Sequence, residues 1–234
     1  MFDIKQFRYG ADNLAYLLYN GQTAMAVDGG AVQEILDFVS KEGLRLETVT
    51  NTHGHPDHTT GSARLVEATG ARRLDPMKLH GGEGALIGKE DVEIIHTPGH
   101  TRDSVCFLAG RYLVSGDTLF NGTVGNPFSG DLAAFYHSVK RLMTLPPETV
   151  VFAGHDYVEE SMAFARYVEP ENQDNIDAYL ADYDPVLVRS TIADELLVNP
   201  YLRFNEPAIV AMLERRGLSV NTEYDRWLSL MSVE

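Results

Sequence analysis

The 234-residue chain has one cysteine, Cys106, and one tryptophan. A single cysteine excludes an internal disulfide framework and any metal cluster held by thiolates alone. Positive charge is scarce: 19 Lys and Arg stand against 34 Asp and Glu, a formal net charge of -15. A field of that sign repels polyphosphate backbones. The basic residues cluster no further than pairs such as Arg72-Arg73 and Lys140-Arg141, so no nucleic-acid partner is expected. No apolar run approaches the roughly 18 residues of a membrane span, so no membrane partner is expected either. The start, Met1-Phe2-Asp3-Ile4-Lys5, shows no basic segment followed by an apolar one. A cytoplasmic location is the expectation. Internal repeats and low-complexity tracts are absent too.

What is present is ordinary globular composition, 44% apolar and 23% charged, in a chain long enough to bury a core without staples. Ala24–Val27 reads as a strand that stops at Asp28-Gly29-Gly30. Val32, Ile35, Leu36 and Val39 then share one helical face, and Gly43 ends it. Leu46–Thr50 is a strand, and a helix is expected from about Thr60 to Thr69. Val92–Ile95 is a strand; Ser104–Leu108 and Tyr112–Ser115 flank Gly110 as a hairpin. Asp131 caps a helix reaching Leu142. Thr149–Phe152 is a strand and Glu159–Val168 a helix. After Glu169-Pro170 strand signals vanish. Helical stretches follow around Asn172–Tyr183, Thr191–Val198, Pro207–Arg216 and Thr222–Met231, with Gly217 closing the third. The division expected is a domain over residues 1–168 and a helical region over 169–234 that packs at the edge of the site.

Five of these strands end in side chains able to bind metal: Asp28, the cluster His53-Gly54-His55-Pro56-Asp57-His58, His100, Asp117 and His155. In layered sheet folds, strand ends gather along one edge, where ligands collect. Side chains alternate in an extended segment, so His53, His55 and Asp57 project one way and His58 another. The segment can thus serve two metal centres, His53 and His55 on one, Asp57 and His58 on the other. His100 can complete the first, His155 the second, and Asp117 can bridge them. Nitrogen and oxygen donors suit Zn, Fe or Mn rather than a soft thiolate metal. Asp28 either hydrogen-bonds a ligand imidazole or makes a turn with its glycines. His96 is expected to pack the loop or support a ligand. His80 and His137 read as surface histidines, and Cys106 as an inert core thiol.

These residues resemble the metallo-β-lactamase superfamily. The resemblance spans roughly residues 10–170 and rests on Val27-Asp28-Gly29, the His-x-His-x-Asp-His cluster, Thr97-Pro98-Gly99-His100-Thr101, Ser115-Gly116-Asp117-Thr118 and Gly154-His155-Asp156-Tyr157. Within it the chain looks most like glyoxalase II, the hydroxyacylglutathione hydrolases. Ser190–Leu196 followed by Asn199-Pro200-Tyr201-Leu202-Arg203 is similar to that family's tail. The resemblance implies an α/β fold, an αββα sandwich with a C-terminal helical region and two divalent metal ions, zinc first, iron or manganese next. It implies one metal on His53, His55 and His100, a second on Asp57, His58 and His155, and Asp117 between them. It implies a small-molecule thioester substrate such as a glutathione conjugate, attacked by a metal-bound hydroxide that Asp57 orients. The thiolate leaves without a strong acid.

Departures from the family pattern fall on the substrate side. Where glyoxalase II enzymes carry a Gly-Lys-x-Tyr type segment, this chain has Gly125-Asn126-Pro127-Phe128. Near the C-terminus it offers Arg226. Tyr157, Asn126, Phe128 and Arg226 are the expected substrate contacts. The rival readings are a persulfide dioxygenase with one Fe(II) on His53, His100 and Asp117, a lactonase, and a metal-stabilised binding module.

Overall fold

The computed structural model describes residues 2–78 and 85–233; His80 lies outside them. An N-terminal hairpin, not read from the sequence pattern, opens the chain. β1 (Asp3–Tyr9) and β2 (Asn13–Asn20) pair antiparallel, with Tyr9 opposite Asn13 at the turn. β3 (Thr23–Val27) lies antiparallel to β2 and parallel to β4 (Arg45–Thr50). Parallel neighbours need a crossover rather than a tight turn, and α1 (Val32–Lys41) supplies it. With β5 (Arg72–Arg73) these strands form one sheet in chain order.

The second sheet holds β6 (Ala85–Ile87), β7 (Glu90–His96), β8 (Val105–Ala109), β9 (Tyr112–Gly116), β10 (Val150–Ala153) and β11 (Ser190–Thr191), ordered β11-β10-β9-β8-β7-β6. β9 and β10 are parallel, joined through α4 (Leu132–Leu142), where the Asp131 carboxylate accepts from the Ala134 amide at 2.9 Å. The single helix expected from Thr60 is two: α2 (Pro56–Thr59) and α3 (Ser62–Thr69). Pro56 sits in the first turn of α2, where its missing N–H costs nothing.

Alternation along the strands builds the layers. Leu14, Tyr16 and Leu18 of β2 meet Phe107, Val114 and Phe152 between the sheets. Ala15 and Leu17 point the other way, to Val32, Ile35 and Leu65 of the first helix layer. On the outer face of the second sheet, Cys106, Leu113 and Val151 pack against Phe135, Phe204 and Trp227. The result is helix, sheet, sheet, helix. The remaining helices are α5 (Val158–Val168), α6 (Gln173–Asp182), α7 (Ile192–Val198), α8 (Pro207–Arg215) and α9 (Glu223–Met231). Thr191 with Asp194, and Thr222 with Asp225, form reciprocal capping boxes that start α7 and α9. The tail also holds β11, which pairs antiparallel with β10. Two residues are too short for a period-2 signal, so this strand exists only by its partner. No described helix is long and apolar enough to cross a membrane.

Candidate metal centre

The segments after β4, β7, β9 and β10 bring seven side chains into two groups. His53, His55, His100 and Asp117 form one; Asp57, His58 and His155 form the other. In the first, His55 Nδ1 lies 2.9 Å from His53 Nε2 and 3.1 Å from His100 Nε2. In the second, His58 Nε2 and His155 Nε2 are 3.1 Å apart, and Asp57 Oδ2 is 3.6 and 3.4 Å from them. Asp117 reaches both. Its Oδ2 is 3.4 Å from His100 Nε2, and its Oδ1 is 3.3 Å from His58 Nε2.

The grouping matches the expected pairing, but the local reason differs. His55 is extended, at φ -64 and ψ 143. Asp57 and His58 sit on the helical turn α2, not on a continuing strand. That turn, rather than strand alternation, directs them to the second group. Gly154 leaves the space they converge on: a Cβ there would stand 2.1 Å from Asp117 Oδ1 and 2.9 Å from the His58 ring.

The donor set fits divalent ions. Asp117 Oδ1 is buried without a hydrogen-bond partner. Ring nitrogens around a tetrahedral ion, each at about 2.0–2.1 Å from it, stand roughly 3.3 Å apart. The facing nitrogens here have that arrangement, slightly contracted. Each buried imidazole is also held from behind. His100 Nδ1 donates to the Asn126 carbonyl at 2.8 Å, His58 Nδ1 to Asp28 Oδ2 at 2.9 Å, and His155 Nδ1 to Asp12 Oδ1 at 2.8 Å. His53 Nδ1 meets Thr52 Oγ1 at 3.0 Å, and that hydroxyl donates to Asp28 Oδ2 at 2.7 Å. A proton placed on Nδ1 leaves the Nε2 lone pair aimed inward.

The same groups set the charges. Burial, then the neighbouring His58 charge, pushes His53 down to about 4; burial also lowers His100. Burial opposes charge on His58, but Asp28 and Asp117 outweigh it and push it up to about 11. His155 rises against burial because Asp117 and Asp12 face it. Asp117 is itself buried, yet His155 and His58 hold it well below the usual carboxylate range. It stays an anion between the two groups. A cation held by Asp57, His58 and His155 would take the place of a proton on His58.

Asp28 does both things expected of it as alternatives. It bonds His58 and Thr52, and at φ 53 it turns the chain; it is the one non-glycine residue with positive φ among the described residues. Asp12 and Asn13 went unseen in the sequence. Asn13 Nδ2 donates to Asp57 Oδ2 at 2.9 Å. Their signal was the polar pair Asp12-Asn13 before the apolar run Leu14–Leu18, a turn entering a strand.

On the substrate side, Phe128 is 69% exposed, its ring 5.7 Å from His55 and 5.3 Å from His100. Asn126 meets the site through its carbonyl on His100. Tyr157 stacks on His155 at 5.1 Å, and burial with the Asp12 and Asp117 charges pushes its phenol up to about 12. Arg226 is engaged elsewhere, by Asn205 Oδ1 at 2.8 Å and the Val220 carbonyl at 3.0 Å. His96 belongs to neither group, and His137 lies on the exposed face of α4.

Comparison with known proteins agrees with this geometry. The family model described as the metallo-beta-lactamase superfamily matches residues 9–76 and 72–155. The one described as the hydroxyacylglutathione hydrolase C-terminus matches 156–226. A hydroxyacylglutathione hydrolase of Pseudoalteromonas translucida is 32% identical, covering 97% of this chain and 95% of its own. Among solved structures, ETHE1 from Myxococcus xanthus shares the fold at TM-score 0.69 and 24% identity, over 97% of this chain and 99% of its own. A protein called TTHA1623, solved in a di-iron-bound form, matches at TM-score 0.62 and 25% identity, over 85% of this chain and 100% of its own. With its two His/Asp groups at strand ends of both sheets and its helical tail, the chain belongs to the metallo-β-lactamase superfamily and, within it, to the hydroxyacylglutathione hydrolase family.

Proposed function

We propose that the chain is a dinuclear zinc hydrolase that cleaves a hydroxyacyl thioester of glutathione type. One observation carries the reading: two ligand groups share the buried carboxylate of Asp117. A structural zinc closes its four positions with protein ligands, whereas here seven side chains gather in two groups that could each hold an ion. When bound, the two ions make hydroxide available near neutral pH and polarise an acyl carbonyl.

The chain's own residues do the rest. His53, His55 and His100 would hold one ion; Asp57, His58 and His155 would hold the other. Asp57 is half-exposed, and Asn13 fixes one of its oxygens. It is placed to orient the attacking water. Tyr157, kept protonated, offers a phenol donor beside His155. Phe128 and the Asn126 segment form the lip against which the substrate lies. Arg226 would contribute only by leaving Asn205 and Val220. The leaving thiolate, of ordinary pKa about 8.5, departs without a dedicated acid. The second ligand group argues against an iron centre built on His53, His100 and Asp117 alone. A single buried thiol and no disulfide fit work in the cytoplasm.

The test is hydrolysis of S-D-lactoylglutathione by protein whose metal content is assayed in the same sample. Two zinc per chain and kcat/KM within about 10⁴–10⁸ M⁻¹s⁻¹ are expected. Two ions without turnover would reject the glutathione thioester and keep the hydrolytic centre. One iron and no turnover would reject both.

A further inference from the structure

We propose that Glu195 and Asn199 form a latch through which the C-terminal helices hold the loop bearing Asp117. The inference rests on the reading of Asp117 and His100 as metal ligands. The loop leaves β9 at Asp117 and folds into a small hairpin. Leu119 and Val124 bridge antiparallel, and the Phe120 amide donates to the Thr123 carbonyl at 3.0 Å. The base of this hairpin is the metal site. Asp117 stands on one side, and the Asn126 carbonyl that orients His100 stands on the other. The two sides are pressed together at Gly125, where a Cβ would lie 1.9 Å from the Asp117 carbonyl and 3.0 Å from His100 Nδ1.

The tip of the hairpin is hydrogen-bonded by polar groups of the tail and sheet core, and Gly122 also lies close against Met162 and Ser161 of α5. Glu195, on α7, is 0% exposed. Its Oε2 accepts from the Gly122 amide at 2.9 Å and from Asn199 Nδ2 at 2.8 Å. The same Asn199 nitrogen donates to the Thr123 carbonyl at 3.0 Å. Glu195 Oε1 accepts from Ser190 at 2.7 Å and Tyr179 at 2.9 Å, and Ser190 accepts from Asn121 at 2.7 Å. Oε2 takes one bond from the loop, at Gly122, and one from Asn199 of the tail, which itself reaches Thr123; both bonds on Oε1 come from the tail. Burying a carboxyl is costly, and an apolar side chain would fill this space more cheaply. What the carboxyl adds is a fixed address for Gly122 and Thr123. Glu195 is a positioning residue, acting on the metal through the loop.

Four variants separate this from general stability: Glu195→Ala, Glu195→Gln, Asn199→Ala and Tyr179→Phe. Gln keeps an oxygen for the Gly122 amide, and its NH₂ meets the Ser190 and Tyr179 hydroxyls, which rotate to accept. Zinc affinity is read by chelator competition and loop closure by hydrogen exchange at the Phe120 amide. Glu195→Ala and Asn199→Ala should bind zinc about tenfold more weakly or worse and exchange Phe120 faster. Glu195→Gln should restore both. Tyr179→Phe should lower Tm and change neither. Zinc affinity that follows Tm across all four, or a Phe120 amide still protected in Glu195→Ala, would overturn the latch. If Glu195→Ala does not fold, Asn199→Ala against Tyr179→Phe makes the same comparison. A wild-type chain that binds no zinc would sink the metal reading instead, and Phe120 exchange then decides the latch alone.

Discussion

At the residue scale, Asp28 shows how one side chain serves backbone and chemistry together. Its φ of 53 turns β3 toward α1, and its carboxylate holds His58 and Thr52. Glycine would accept the turn and Asn would keep an oxygen near His58. Asp28→Gly should therefore weaken zinc binding 10–100-fold, the cost usual for removing a ligand's hydrogen-bond partner. Asp28→Asn should lose less, as isothermal titration of the apo-protein would show. Both variants keep the turn, so equal losses would mean that the negative charge of Asp28, not merely an oxygen beside His58, is what matters. Cys106 is the opposite case. It is fully buried, and burial pushes its thiol up to about 11, so almost no thiolate exists at neutral pH. The folded protein should not react with a thiol reagent at pH 7.5, and unfolding should release one equivalent. Rapid labelling of the native chain would contradict that.

At the scale of elements, the junction of α7 with the Asp117 loop makes a pH-dependent prediction. Burial raises the Glu195 carboxyl although Ser190, Asn199, Gly122 and Tyr179 all donate to it. The folded state then holds the proton more tightly than the unfolded chain, whose value is about 4.3. Stability from this group is complete below that value and is lost as pH rises through the folded one. Glu195→Gln does not titrate. Its Tm should gain on the wild type between pH 4.5 and pH 7.5. A wild type that gains on the variant over that range would show that the four donors outweigh burial.

At the scale of the whole molecule, the metal centre is a clasp between sheets. His53 and His55 follow β4 of the first sheet; His100, Asp117 and His155 follow strands of the second. Ions bound across that edge stabilise the folded state by mass action. Free zinc at a thousandfold excess over Kd is worth about 4 kcal/mol per site. For a chain of this length each kcal/mol moves Tm by about 2–4 °C. With two sites, chelation should lower Tm by roughly 16–32 °C, and zinc should restore it in a calorimetric scan. An unchanged Tm would place the centre outside the stability of the fold.

The sequence by itself made the histidines and aspartates of the two groups conspicuous, and its resemblance to a family implied the layer order. Histidines and aspartates at strand ends are chemically conspicuous, and apolar runs such as Ser104–Leu108 read as strands from their local pattern. It also placed the tail helices within a few residues, because their caps, Thr191 with Asp194 and Thr222 with Asp225, are local. Only the tertiary structure decided the rest. Asp12 and Asn13 join the site because β1 and β2 lay a hairpin turn beside His155. β11 is a strand only against β10. Glu195 looks like any helix-surface acid until the tail closes on Gly122. Local pattern records what a residue prefers. Which partner meets it across 73 residues, as Gly122 meets Glu195, depends on how the layers pack, and no short-range periodicity encodes that.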